Sequence, residues 1–234
     1  MILFGALGIT AQTLAQKTQD QIITFDAAPN VRTLPQSINP SGVVTGYYIE
    51  ASNIIHGFVR AADGTITTFD VGPRVTFPAS INPSGEITGY CNNSSPAILF
   101  GFVRAADGTI TTFDAGQRKT VPQSINPSGV VTGYYSSLVG HGFVRAADGT
   151  ITTFDAGPYG TIPRSINPRG EIAGYTYASN SSLTHGFVRA ADGIITTFDA
   201  GPNGTIPASI NPRGEITGSY ADATNVAHGF VREP

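Results

Sequence analysis

From residue 22 onward the chain alternates short runs of Ile, Val, Thr, Phe and Tyr with breaks made of Gly, Pro, Asn, Asp and Ser. Runs of that length and composition predict β-strands, and the breaks predict tight turns. No 3.6-residue periodicity follows residue 20, so no helix is expected there. Within each run apolar side chains fall on both faces, because neighbouring residues of a strand point to opposite sides. A sheet of that kind has to be covered twice.

The pattern repeats. Ser-Ile-Asn-Pro occurs with its Asn at 39, 82, 126, 167 and 211, at intervals of 43, 44, 41 and 44 residues. Gly-Phe-Val-Arg starts at Gly57, Gly101, Gly142, Gly186 and Gly229, and Thr-Phe-Asp ends at Asp26, Asp70, Asp114, Asp155 and Asp199. The stretch GFVRAADGTITTFD is identical at 57–70, 101–114 and 142–155, and a fourth copy differs only at Ile194. Each unit reads as four strands: SIN, then EITGYY or VVTGYY, then HGFVR, then TITTFD. Asn-Pro-Ser-Gly or Asn-Pro-Arg-Gly joins the first two through a type I turn whose Gly takes positive φ. Asp-Gly joins the last two, which centres the pairing on Asp63-Gly64 and sets Phe58 opposite Phe69 and Val59 opposite Thr68.

Four strands in about 43 residues, stacked face to face around an axis, is the pattern of a β-propeller blade. The chain opens on a lone fourth strand, Ile22 to Asp26, and ends on a lone third strand, His228 to Arg232. The expected fold is therefore all-β, a five-bladed β-propeller of four antiparallel strands per blade, closed three-plus-one by the N-terminal strand. Its blades span approximately 36–70, 79–114, 123–155, 164–199 and 208–232 plus 22–26. Residues 1–21 stand apart, and 22–234 form one domain.

The succession SIN-x-x-G-x-x-x-G-Y, His-Gly-Phe and an Asp-Gly hairpin resembles the HAF-type repeats of bacterial extracellular proteins, over residues 22–232. His-Gly-Phe stands here where that family has His-Ala-Phe. The resemblance implies a fold and a location outside the cytoplasm, and it carries no catalytic residue across.

Composition narrows the rest. Charged residues make up 12% of the chain, about half the ~25% of an ordinary globular protein. The 13 basic and 16 acidic residues leave a net charge of −3, which gives no footprint for nucleic acid. Lys17 and Lys119 are the only lysines, so no polybasic membrane patch exists. A single cysteine, Cys91, excludes an internal disulfide framework. Residues 1–16, MILFGALGITAQTLAQ, carry an apolar run too short to span a bilayer. That run resembles the core of a secretory signal without a preceding Lys or Arg. The alternative reading is an apolar arm that packs on the domain or on a neighbouring copy, through which copies self-assemble. The expected location is secreted, extracellular or periplasmic.

Candidate chemistry is sparse. His56, His141, His185 and His228 share one repeat position, where the remaining repeat has Phe100. Set on separate third strands they cannot converge on one ion, so no metal is expected, and each His is read as a latch to a loop carbonyl. The Thr-Phe-Asp aspartates are expected to accept N–H groups in the following turn. Arg60, Arg104, Arg145, Arg189 and Arg232 equal them in number and suggest ion pairs. Near-identical repeats argue against the two unlike carboxylates of a glycosidase. No enzyme and no cofactor are expected.

What varies between copies is the loop from second to third strand. It displays Tyr47, Tyr48, Tyr90, Asn92, Asn93, Tyr134, Tyr135, Tyr175, Tyr177, Asn180, Tyr220 and Asp222. Tyr with Asn and Asp is recognition chemistry. Tyr48, Tyr90, Tyr135, Tyr175, Tyr220, Asn92 and Asn180 are accordingly the candidate ligand residues. The expected function is a non-enzymatic binding module for a glycan or another protein, lectin-like with several similar sites. The second reading is an assembly protein built through residues 1–16, and a central-pocket hydrolase is the third.

Overall fold

The computed structural model describes residues 22–92, 98–116, 118–136, 139–178 and 183–234. Residues 1–21, with the signal-like run and the assembly arm, lie outside that set, as do Asn93 and Asn180. Among the described residues every regular element is a strand.

The first repeat holds β1 (Arg32–Ile38), β2 (Val44–Ile49), β3 (Ile55–Arg60) and β4 (Ile66–Phe69). The second holds β5 (Thr76–Ile81), β6 (Ile87–Asn92), β7 (Leu99–Arg104) and β8 (Ile110–Phe113). The third holds β9 (Lys119–Ile125), β10 (Val131–Ser136), β11 (Gly140–Arg145) and β12 (Ile151–Phe154). Then come β13 (Thr161–Ile166), β14 (Ile172–Tyr177), β15 (Thr184–Arg189) and β16 (Ile195–Phe198). The last repeat has only β17 (Thr205–Ile210), β18 (Ile216–Ala221) and β19 (Ala227–Arg232).

Strands pair antiparallel in chain order within each repeat. A parallel bridge between Leu99 and Lys119 fuses the second and third repeats into one eight-stranded sheet, so the strands form four sheets. First strands neighbour first strands of the next repeat, which puts them on the inside of the array and the fourth strands on the outside.

The third–fourth hairpin is one residue out of the expected register. Gly57 faces Phe69, Phe58 faces Thr68 and Val59 faces Thr67. The loop is three residues wide, closed by Ala61 N–H to Thr65 O (2.8 Å), with Gly64 at φ 94°. A left-handed glycine in third place makes this the bulged hairpin and not the two-residue turn. The shift has a use. Phe69 now lies across Gly57, where a Cβ would meet its ring at 2.7 Å. The Asn-Pro turns behave as expected, with Gly42 at φ 77° and its counterparts similar.

Each joint between repeats is made the same way. Phe69 of one repeat meets Phe102 of the next edge-on, ring centres 6.1 Å apart, and Arg104 covers Phe69 at 5.1 Å. The same triple recurs with Phe113, Phe143 and Arg145, with Phe154, Phe187 and Arg189, and with Phe198, Phe230 and Arg232. The arginines therefore stack on rings and do not pair with the Thr-Phe-Asp aspartates, a correction to the expected ion pairs. A guanidinium over an aromatic face keeps its charge while covering apolar surface.

Nearer the inside, Asn39 donates through Nδ2 to Asn82 O (3.3 Å), Asn82 to Asn126 O (3.1 Å), Asn126 to Asn167 O (3.2 Å) and Asn167 to Asn211 O (3.1 Å). Beside this ladder Ser37 Oγ accepts Ile81 N–H at 3.3 Å, and the contact repeats at each later joint. One Asn thus closes its own turn and grips its neighbour.

Residues 22–26, expected as the strand that completes the last blade, are paired with no strand here. They sit against the first repeat, where Phe25 meets Phe58 at 5.8 Å beneath Arg60.

Asn126 is nearly fully buried and its Oδ1 also accepts Ser128 N–H and Val130 N–H, both at 3.0 Å. Asn126→Ala should therefore cost about 2–4 kcal/mol, from lost bonds and orphaned groups. Urea unfolding followed by circular dichroism checks this, and an unchanged midpoint would refute the role of the ladder.

Candidate functional site

The candidate tyrosines divide between two faces. Second-strand residues 47, 90, 134 and 175 hold one repeat position, and 48, 135 and 220 hold the next, so the two sets point to opposite sides of their sheets. Tyr48 is buried and stacks on His56 with ring centres 4.8 Å apart; Tyr135 stacks on His141 at 5.0 Å and Tyr220 on His228 at 5.2 Å.

These histidines are held by aspartate and not by a loop carbonyl, which corrects the expected latch. Nδ1 of His56 lies 2.7 Å from Asp70, that of His141 is 2.8 Å from Asp155, and that of His185 is 2.7 Å from Asp199. The one-residue hairpin shift carries the fourth-strand Asp up to the third-strand His. A crevice of about 300 Å³ opens beside His141 and Asp155, between Val139 and Gly160. The pair recurs with one geometry in three repeats, as a structural fastening does.

Of the asparagines, Asn92 is buried and its Oδ1 accepts Val75 N–H at 2.9 Å, a loop tie. Asp222 gathers Thr224 and Val226 N–H and the Thr224 hydroxyl. Those donors, with His228, hold its carboxyl well below the usual range.

The other set converges. Phe77 lies between the rings of Tyr47 at 4.4 Å and Tyr90 at 4.8 Å, bridging the first two repeats. Tyr175 and Tyr177 meet edge-on at 5.7 Å. Burial pushes the Tyr90 hydroxyl up to about 12, helped by Tyr134 and Tyr47. Tyr175 is likewise pushed to about 12, by burial first and then by Tyr177, while Arg164 pulls the other way. Tyr134 is raised by burial and also feels Arg164. Tyr90 and Tyr175 thus join Tyr47, Tyr134 and Tyr177 on the second strands, and the charge of Arg164 on β13 reaches Tyr134 and Tyr175.

Sequence reasoning missed Arg164. It is exposed and stands at the bulge of β13, where the pairing skips from Pro163 to Ser165. Bulges re-aim a side chain out of the sheet. The same slot holds Gln36, Ala79, Gln123 and Ala208 in the other repeats, and the slot of Tyr177 holds Ile49, Asn92, Ser136 and Ala221. Aligning the copies position by position exposes both departures.

No protein-family model matches the chain, and no curated protein sequence does. Solved structures do match. The β-propeller domain of the Trilobed protease from Pyrococcus furiosus, described as having an open velcro topology, is similar at a TM-score of 0.64 and 11% identity, over 87% of this chain and 69% of that one. A TolB-type protein from Agrobacterium tumefaciens gives 0.58 and 16%, over 86% and 76%. Virginiamycin B lyase from Staphylococcus aureus gives 0.53 and 11%, over 86% and 87%.

The chain has a β-propeller fold. At these identities the likeness extends to the fold alone. Two functional expectations are corrected by it. A lyase shares this shape and none of these three propellers is a carbohydrate-binding module, so "non-enzymatic, lectin-like" and "not an enzyme" fall. The repeats are unlike one another at Arg164 and Tyr177, though neither residue is one of the carboxylates a glycosidase would need.

Ultraviolet titration at 295 nm should show two hydroxyls ionising only near pH 12, lost in Tyr90→Phe and Tyr175→Phe. Because the folded values exceed the unfolded ~10, stability is full below pH 10 and falls as pH rises towards 12. Titration of all tyrosines near pH 10 would contradict this burial.

Proposed function

We propose that the inner tyrosine cluster with Arg164 is the active centre of a propeller enzyme that takes a small anionic molecule and stabilises negative charge developing on one of its oxygens. The observation that carries the reading is the departure at the bulge slot: a cation stands there in one repeat only, beside hydroxyls held protonated by burial. A guanidinium offers a carboxylate or phosphate a two-pronged partner. Phenols with raised pKa remain hydrogen-bond donors throughout the neutral range. Donors already aimed at a forming oxyanion are a large source of rate enhancement.

On this reading the blades form one five-bladed ring with its ligand at the inner mouth, so one site serves the whole chain. Tyr90 and Tyr175 are retained from the candidate ligand residues, and Tyr48, Tyr135, Tyr220 and Asn92 serve the framework. A location outside the cytoplasm is supported by the low charge, by the signal-like residues 1–16 and by the likeness of the repeats to HAF-type repeats. Among the described residues no helix is long and apolar enough to cross a membrane.

The test uses p-nitrophenyl hemisuccinate, an ester that carries the required anion. Arg164→Gln should lower kcat/KM at least ~10-fold, the effect of one charge-assisted contact. Arg169→Gln, on an exposed turn of the same blade, should leave it unchanged. Turnover unaffected by Arg164→Gln, or absent from the native chain, would overturn the reading.

A further inference from the structure

The first and last blades each present half of the joint that the interior blades share. Ile38 of β1 is 66% exposed, whereas its counterparts Ile81, Ile125, Ile166 and Ile210 are 6–7% exposed. Those counterparts pack against the third-strand valine of the preceding blade, as Ile81 does against Val59. The valine left over is Val231 of β19, 69% exposed. It borders a cavity of about 250 Å³ with Ser209, Asn211 and Ile216. Ser209 Oγ and Asn211 Nδ2 are the members of the serine and asparagine ladders that have no next blade to meet. Ile38 N–H and Asn39 O are the groups that the ladders would reach.

The outer edge shows the same half-joint. A Cβ on Gly57, Gly101, Gly142 or Gly186 would meet the ring of the fourth-strand phenylalanine at 2.5–2.7 Å, yet at Gly229 its nearest neighbour is Gly218 O at 4.0 Å. The ring missing from Gly229 has a counterpart in Phe25, already seated under Arg60. Ala27 N–H reaches Thr33 Oγ1 at 3.0 Å, just as Val71 reaches Thr76 at 2.9 Å, so residues 22–33 join the first blade as every fourth strand joins its successor. Asp26 is exposed, makes no side-chain hydrogen bond among the described residues, and matches Asp70 in the repeat. His228, the one described histidine without its fourth-strand Asp, turns Nε2 to Asp222 at 3.1 Å and leaves Nδ1 open.

We infer that the occupant of the β19 edge is residues 22–26 of the same chain, set antiparallel with Phe25 across Gly229, Thr24 opposite Phe230, Ile23 opposite Val231 and Ile22 opposite Arg232. Asp26 then takes Nδ1 of His228, Ile38 packs on Val231, Ile38 N–H reaches Ser209, and Asn211 donates to Asn39 O. Every repeated contact of the array gains its fifth member. A tethered segment holds a higher local concentration at this edge than a second copy does in dilute solution. The inference is independent of the ligand reading, since Arg164→Gln leaves every group of the joint in place.

Gly229→Ala is the test. In a closed chain its Cβ strikes Phe25, and Tm falls by several degrees, as it does for Gly186→Ala against Phe198. In an open chain Gly229→Ala is neutral, which would overturn the inference. A second variant, Ile23→Cys with Val231→Cys, should oxidise to a monomer that migrates faster without reductant, because opposed strand residues lie within disulfide reach. Failure to oxidise, or a disulfide formed only between two copies, would overturn it.

Discussion

A sheet with apolar groups on both faces cannot stand alone, and that constraint organises this protein. Phe58, Phe102, Phe143 and Phe187 are fully buried only because a fourth-strand phenylalanine of the preceding segment and the arginine above it close over them. Burying a side chain of that size is worth about 1.5–3 kcal/mol. The array is therefore quasi-one-dimensional, its stability a sum of like joints, and a joint left unmade costs as much as a joint destroyed.

The joints also explain where variation is permitted. Strand residues that contact the next blade are copied almost without change. The bulge in the first strand is different: the strand pairing skips its residue, and Gln, Ala and Arg all stand there. Chemistry can be added at such a slot without disturbing a single interface. Arg164 occupies that slot in β13, and its charge reaches Tyr134 and Tyr175.

Much of the architecture was legible in the sequence because it is periodic. The Asn-Pro-x-Gly turns and the Asp-Gly hairpins announced the strands, and Gly42 and Gly64 adopt the positive φ they require. The one-residue error at the hairpin came from reading Asp63-Gly64 as a two-residue turn. That error hid the His–Asp pairs, since only the observed register brings Asp70 to His56. The tyrosines were singled out as one loop-face group, yet Tyr47 and Tyr48 point to opposite sides of β2. Arg164 is not legible from the repeat, because it stands at a position where the copies differ. The place of Arg60 and its counterparts is not legible either: equal numbers of Arg and Asp suggest pairs, and only the packing shows each guanidinium over a phenylalanine ring.

The claim that every blade meets its neighbour through one and the same joint is tested most directly by hydrogen exchange on β19. If residues 22–26 pair with it, the outward-facing amides of Gly229–Arg232 exchange as slowly as those of Gly186–Arg189 in β15, which β16 covers. Exchange at the rate of free peptide in β19, with β15 still protected, would contradict the account.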